Sequence, residues 1–137
     1  MKTDFRAALL AHSTLTARLG QVGSRAAIDF AIRPDSGSLP ALTLEMISDP
    51  REYNQGGVSG FFQERIQIDI WGESYKDTDE IHIILRDYLE GFTGLTGSTY
   101  FSRVFQDSAR DLPVTDLQGG GRVFHRATDF IIHYTRS

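Results

Sequence analysis

Two short stretches of this sequence carry residue types that catalytic loops use. The first is "WGESYKDTDE", Trp71 to Glu80, where apolar residues change from every second position to every third or fourth. A strand passing through a glycine turn into a helix is where many enzymes hold phosphate or present a nucleophile. A phosphate loop, however, needs two glycines followed by lysine and a hydroxyl residue, so that backbone N–H groups and an ammonium converge on the anion. Here one glycine is followed by Glu73, Asp77, Asp79 and Glu80, which repel an anion. The same acids suit a helix start. Ser74-x-x-Asp77 fits the capping-box pattern, Asp77-x-x-Glu80 is a weaker version, and carboxylates complement the positive end of a helix dipole. The spacing predicts a structural corner.

The second stretch is "GGVSG", Gly56 to Gly60. It lacks the residue that a nucleophile elbow places between serine and the last glycine, and its surroundings read as a hairpin loop. Asp77 and Asp79 open like a calcium loop, but the glycine at the sixth position and the glutamate at the twelfth are missing. The four histidines show no H-x-x-x-H spacing. His125 and His133 share a strand face roughly 26 Å apart at the standard rise, and His82 is expected to be solvated beside a helix stripe. The absence of cysteine excludes disulfides and thiolate metal sites. The expectation is a protein without catalytic residues, cofactor or metal.

These residues must be carried by a small number of elements. Asp4 to Leu19 reads as helix, with Phe5, Ala8, Leu9, His12, Leu15 and Leu19 near one stripe. Gly20 is the expected stop, and a break with Ser13 capping a second short helix is the alternative. "RAAIDFAIRP" and "ALTLEMI" read as strands, the second half-buried through Leu42, Leu44 and Met46. The loop "SDPREYNQGGVSG" is long for a compact domain. In "FFQERIQIDIW", Phe62, Ile66, Ile68 and Ile70 face one way, and Gln63, Arg65, Gln67, Asp69 and Trp71 the other. Ile81, Ile84, Leu85, Tyr88, Leu89 and Phe92 form a helical stripe ended by Gly91 or Gly94. "STYFSRVFQD" and "GRVFHRATDFIIHYT" complete the strands, separated by an expected loop "SARDLPVTDLQGGG".

The predicted fold is therefore α+β, one domain over residues 1–137, in the order α-β-β-β-α-β-β. A mixed, mainly antiparallel sheet of about five strands carries two main helices on one face. If the third and fourth strands are parallel neighbours, the crossover between them should be right-handed. The other sheet face offers Trp71, Val123, Ala127 and Ile131 among His125, Asp129 and His133, a mixed surface that a partner can cover.

With 137 residues the chain can bury a substantial core. At 40% hydrophobic and 23% charged it has globular composition, and no apolar run reaches the length of a membrane span. The start "MKTDFRAALLAHS" does not read as a signal peptide. The net charge is -4 and the basic residues are dispersed, which argues against a phosphate-gripping surface.

Four segments together resemble the small tail-completion proteins of long-tailed bacteriophages, which include the tail terminators and occur also in gene transfer agents. They are "FRAALLAHSTLTARLG", "LPALTLEMIS", "ERIQIDIWGESYKDTDEIHIILRDYL" and the terminal "VFHRATDFIIHYT". The most specific part is the strand ending "IDIWG" with the helix after it, followed by the last strand with Asp129, Phe130, Ile132 and Tyr134. The resemblance implies a virion protein assembled in the bacterial cytoplasm. It implies a ring of self-associated subunits, typically six, on the head-proximal end of the tail tube. Its partners would be the tail tube protein and the head connector, with DNA passing through the lumen unbound and no membrane involved. A head–tail connector or neck component is the rival expectation, and a small ligand-binding or enzymatic domain a third. The expected subunit or tube contacts are Arg51, Tyr53, Asn54 and Gln55 in the long loop, with Phe61, Trp71, Arg110, His125, Ile131 and His133 on strands.

Overall fold

The computed structural model describes residues 1–33, 38–47, 61–116 and 121–136. In chain order the elements are α1 (Lys2–Leu10), α2 (Ser13–Thr16), β1 (Gln21–Val22), β2 (Arg25–Ala26), β3 (Ile28–Phe30), β4 (Ala41–Ile47) and β5 (Phe61–Gly72). They continue with α3 (Tyr75–Leu89), β6 (Gly94–Thr96), β7 (Thr99–Asp116) and β8 (Arg122–Arg136). The six-stranded sheet has the order β3-β4-β5-β8-β7-β6, and β1 and β2 form a separate two-stranded ribbon. Only β3 and β4 pair in parallel; the other neighbours are antiparallel.

Register explains where the core sits. Cross-strand partners share a face, so Leu42↔Ile70, Leu44↔Ile68 and Met46↔Ile66 make one apolar surface across β4 and β5. Phe130, Ile132 and Tyr134 extend it onto β8. Onto this surface α1 and α3 lay Phe5, Leu9, Ile81, Leu85 and Leu89, all buried. The Tyr88 hydroxyl, donating to Ala8 O at 3.0 Å, and the Arg18–Glu80 ion pair tie the N-terminal helices to α3.

The junction from β5 to α3 is a corner. Ser74 Oγ accepts from the Asp77 N–H at 3.1 Å, capping the helix. Gly72 is needed for space, because a Cβ there would come within 2.9 Å of Thr78 Cγ2. Gly91, at φ +77°, follows the C-cap of α3 in the left-handed conformation that glycine tolerates.

Several expectations are corrected. The sheet has six strands, and β5 and β7 are not neighbours: β8 lies between them, antiparallel to both. The segment from Ser108 to Asp116, expected as loop, belongs to β7. Its alternation is hidden by register shifts between Phe101 and Arg103, Gln106 and Ser108, and Leu112 and Thr115. Each shift resets the two-residue period, and Pro113 falls within the last. The first helix breaks at Ala11–His12, as the alternative expected, but His12 and not Ser13 is the N-cap of α2, which ends at Thr16, before Gly20. Gly20 instead sits where a Cβ would overlap Ser38. His82 is buried, not solvated.

Candidate interaction surface

The sheet face away from the helices is built by residues of the opposite parity. Trp71 pairs with Ala41 and His125, Asp69 with Thr43 and Ala127, Gln67 with Glu45 and Asp129, Arg65 with Ile47 and Ile131, and Gln63 with His133. On the far side of β8, β7 adds Leu112, Arg110, Ser108, Phe105 and Arg103 to the same face. No bulge interrupts β5, so Trp71 points away from Ile66, Ile68 and Ile70.

This face is held by polar and aromatic contacts. The Trp71 indole N–H donates to Thr43 Oγ1 at 3.0 Å. Its ring stacks on His125 with centroids 3.7 Å apart, and the Arg33 guanidinium lies 4.9 Å from the ring centroid. Arg65 donates to Asp107 at 2.6 Å and to Asp129 at 3.4 Å; the Asp107 bond chiefly raises the Arg65 pKa. Phe105 stacks on His133, and Arg103 lies over Phe105. Burial, with Arg103 nearby, lowers the His133 pKa. His125 Nε2 is 3.1 Å from Asp69 Oδ1, yet it makes no aligned hydrogen bond. Asp129 Oδ1 is likewise buried without a hydrogen-bond partner among the described residues.

The expected contact residues thus divide. Trp71, His125 and His133 lie half-buried in this network, and Ile131 is buried beneath it. Phe61 and Arg110 are exposed. Arg51, Tyr53, Asn54 and Gln55, with the whole "SDPREYNQGGVSG" loop, lie outside the described residues.

The sequence reading assigned nothing to Arg126, which is buried on the helix-covered face. It donates to Asp111 Oδ1 at 2.7 Å and Asp79 Oδ1 at 2.9 Å, and approaches His82 Nδ1 at 3.1 Å. One side chain therefore binds α3 to both strands of the β7–β8 hairpin. Burial would lower the Arg126 pKa, but the bonds to Asp111 and Asp79 outweigh it and raise the value. Because a guanidinium can only donate, His82 Nδ1 must accept. The imidazole proton then sits on Nε2 and donates to Gln106 Oε1 at 2.8 Å. Burial, the largest cause, lowers the His82 pKa and keeps it neutral in company with Arg126. Parity held the signal for this site: Arg126 falls in step with Thr128, Phe130 and Ile132.

Concavities among the described residues flank these elements. A slot of about 120 Å³ is lined by Tyr75, Thr78, Asp111, Leu112, Val114, Phe124 and His125. A broader, open groove runs along α1, α2 and the β1–β2 ribbon. No group of three metal-ligating side chains occurs among the described residues, and no helix there is long and apolar enough to cross a membrane.

These features define an α+β domain-type fold with helices on one sheet face and a polar, aromatic network on the other. Neither a protein-family model nor a curated protein sequence matches the chain. Solved structures do. A chain from the virion of a native gene transfer agent particle superposes with a TM-score of 0.58 at 14% identity, covering 98% of this chain and 90% of that one. A second solved chain superposes with a TM-score of 0.53 at 9% identity, covering 96% of this chain and 95% of its own length. At these identities the likeness is one of fold.

Proposed function

We propose that this protein is a structural virion component that caps the head-proximal end of a tail tube as a ring. The whole-length likeness to a chain of a gene transfer agent virion is the observation that supports this most. The sheet architecture is compatible with it. One face is closed by helices around an apolar core, while the other keeps a polar network and exposed apolar residues toward one end. In this reading the subunits form a homomeric ring of six, stop tube growth and present a surface to the head connector. A net charge of -4 suits a lumen through which DNA slides without being held. The chemistry is assembly, with no bond made or broken.

Deleting the coding sequence from the particle-producing genome tests the proposal. Overlong or irregular tails without attached heads are expected. Tails of normal length joined to filled heads would overturn it. The same fold likeness serves a neck component, which predicts tails of normal length that fail to join heads. Pull-down of the tail tube protein rather than a portal-side protein separates these readings.

A further inference from the structure

β7 is 18 residues long, whereas its outer neighbour β6 pairs only with Thr99–Phe101. On that outer side, among the described residues, no strand pairs with Ser102–Thr115. An open edge is a row of backbone N–H and C=O groups onto which another extended chain can hydrogen-bond, a strand of a second copy included. Along β7 this row is first occupied and then interrupted.

Just beyond β6, the end of α3 stands in for a strand. The Gly91 N–H donates to Val104 O at 3.1 Å, and Glu90 Oε1 accepts from the Gln106 N–H at 2.9 Å. An acceptor and a donor two residues apart on one strand are what a neighbouring strand would engage. The Gln106 side chain is itself held by His82, so α3 grips this part of the edge twice. Further along, pairing with β8 is regular only over Ser108–Leu112, between the register shifts at Gln106/Ser108 and Leu112/Thr115. Such shifts leave residues unpaired and increase the local twist. Pro113 lies in the second shift and has no N–H to offer. Asp107, Arg110 and Asp111 are exposed and put charge along the same stretch. At the opposite edge β3 spans three residues, and its Ile28 carbonyl is taken by Arg6 Nε at 2.8 Å and Arg25 Nη1 at 3.3 Å.

We infer that Glu90, Gly91 and Pro113, with the register shifts around Ser108–Leu112, guard the β7 edge against strand addition by a second copy of this chain. Pairing of β7 with the β3 edge of the next copy would be a head-to-tail contact that repeats from chain to chain. The guards close that route. Subunits then meet through side chains and not through a shared sheet, in whatever assembly they form. The inference stands apart from the capping proposal, because it concerns how copies are kept from joining and not what they join to.

The test uses the full chain. Glu90→Ala frees the Gln106 N–H, and Pro113→Thr adds an N–H together with a residue that strands favour. At equal high concentration the double variant should sediment faster than the parent. Hydrogen–deuterium exchange over Ser102–Leu112 should be slower in its associated form than in the dilute one. A double variant that sediments as the parent does, or that associates while those amides keep their dilute exchange rate, would overturn the inference. A cooperative urea transition checks that the variant folds. If it does not, the single variant Pro113→Thr, changed at an exposed position, carries the same comparison. The parent supplies an independent arm: in any assembly it forms, the outward amides of Ser108–Leu112 should exchange at the monomer's rate. Slowing of alternate amides there, the pattern of an added strand, would also overturn the guard. Tails from particles lacking the protein bear on the capping proposal alone, so the two fail separately.

Discussion

The two faces of the β5–β8 sheet are made by alternate residues of the same strands, yet they are held by different forces. Toward the helices, Ile66, Ile68, Ile70, Phe130 and Ile132 are sealed from water and interlock with α1 and α3. Away from them, Arg65, Gln67, Asp69, Trp71 and His125 keep their order through hydrogen bonds, ion pairs and ring stacking. Apolar burial is non-directional and scales with area, whereas the polar lattice has large gross terms that water can replace. The first face should therefore carry most of the fold's stability. The second should be altered at lower cost.

The largest test of this difference compares neighbours on one strand. Ile68→Ala removes a fully buried side chain, and a loss of about 2–5 kcal/mol in urea unfolding is expected. Gln67→Ala, one residue away on the other face, should cost under about 1 kcal/mol. Equal losses would break the distinction between the faces.

Arg126 is the exception inside the apolar face, and its removal comes next. In Arg126→Met the carboxylates of Asp79 and Asp111, each about half exposed at 45% and 55%, can rehydrate. The loss should therefore be about 2 kcal/mol, below the roughly 3–5 kcal/mol of a fully buried broken pair. Proteolysis should detect α3 loosening from the hairpin before the rest unfolds. A variant as stable as the parent would mean that the three-element clamp contributes nothing net.

Acid should sharpen the same contrast. The folded pKa of His82 lies below its ordinary value of 6.5 because burial disfavours the cation, and Arg126 faces it at 3.1 Å. Folding thus favours neutral His82. Its contribution is fully present above about pH 6.5 and is lost as pH falls from there toward the folded pKa. The slope from this residue cannot exceed about 1.4 kcal/mol per pH unit, one proton's worth. His133 shifts in the same direction on the other face, through burial and Arg103. His82→Gln should flatten the acid limb of stability against pH more than His133→Gln, since His82 is buried while His133 is half-buried. The opposite order would place the acid-sensitive site on the second face.

The parts of this structure that sequence reveals are those where period survives. β5 keeps strict alternation over its central residues and α3 keeps its stripe, so both faces of β5 and the capped corner at Ser74 were readable. β7 was readable only to Asp107; beyond it the register shifts break alternation and Pro113 resembles a loop signal. Without the second half of β7 the Asp111 partner of Arg126 could not be placed. The sheet order was also hidden: that β8 inserts between β5 and β7 is a long-range pairing choice with no local signature. His82 illustrates the same limit. It adjoins the apolar stripe of α3, and its contacts with Gln106 and Arg126 come from strands distant in sequence.

Trp71→Phe gives the smallest and most discriminating effect. Phenylalanine retains an aromatic face for His125 and Arg33 but loses the indole N–H that donates to Thr43 Oγ1. Thr43 is 2% exposed and its hydroxyl would lose that donor, for an expected cost of about 1 kcal/mol. In a Thr43→Val background the same substitution should cost nearly nothing, so the double-mutant cycle returns the hydrogen bond itself. Ring stacking on His125 should survive in the phenylalanine variant. A loss of several kcal/mol, comparable to Ile68→Ala and unchanged in the Thr43→Val background, would make Trp71 a packing residue. The second face would then be part of the core and not a surface held in reserve.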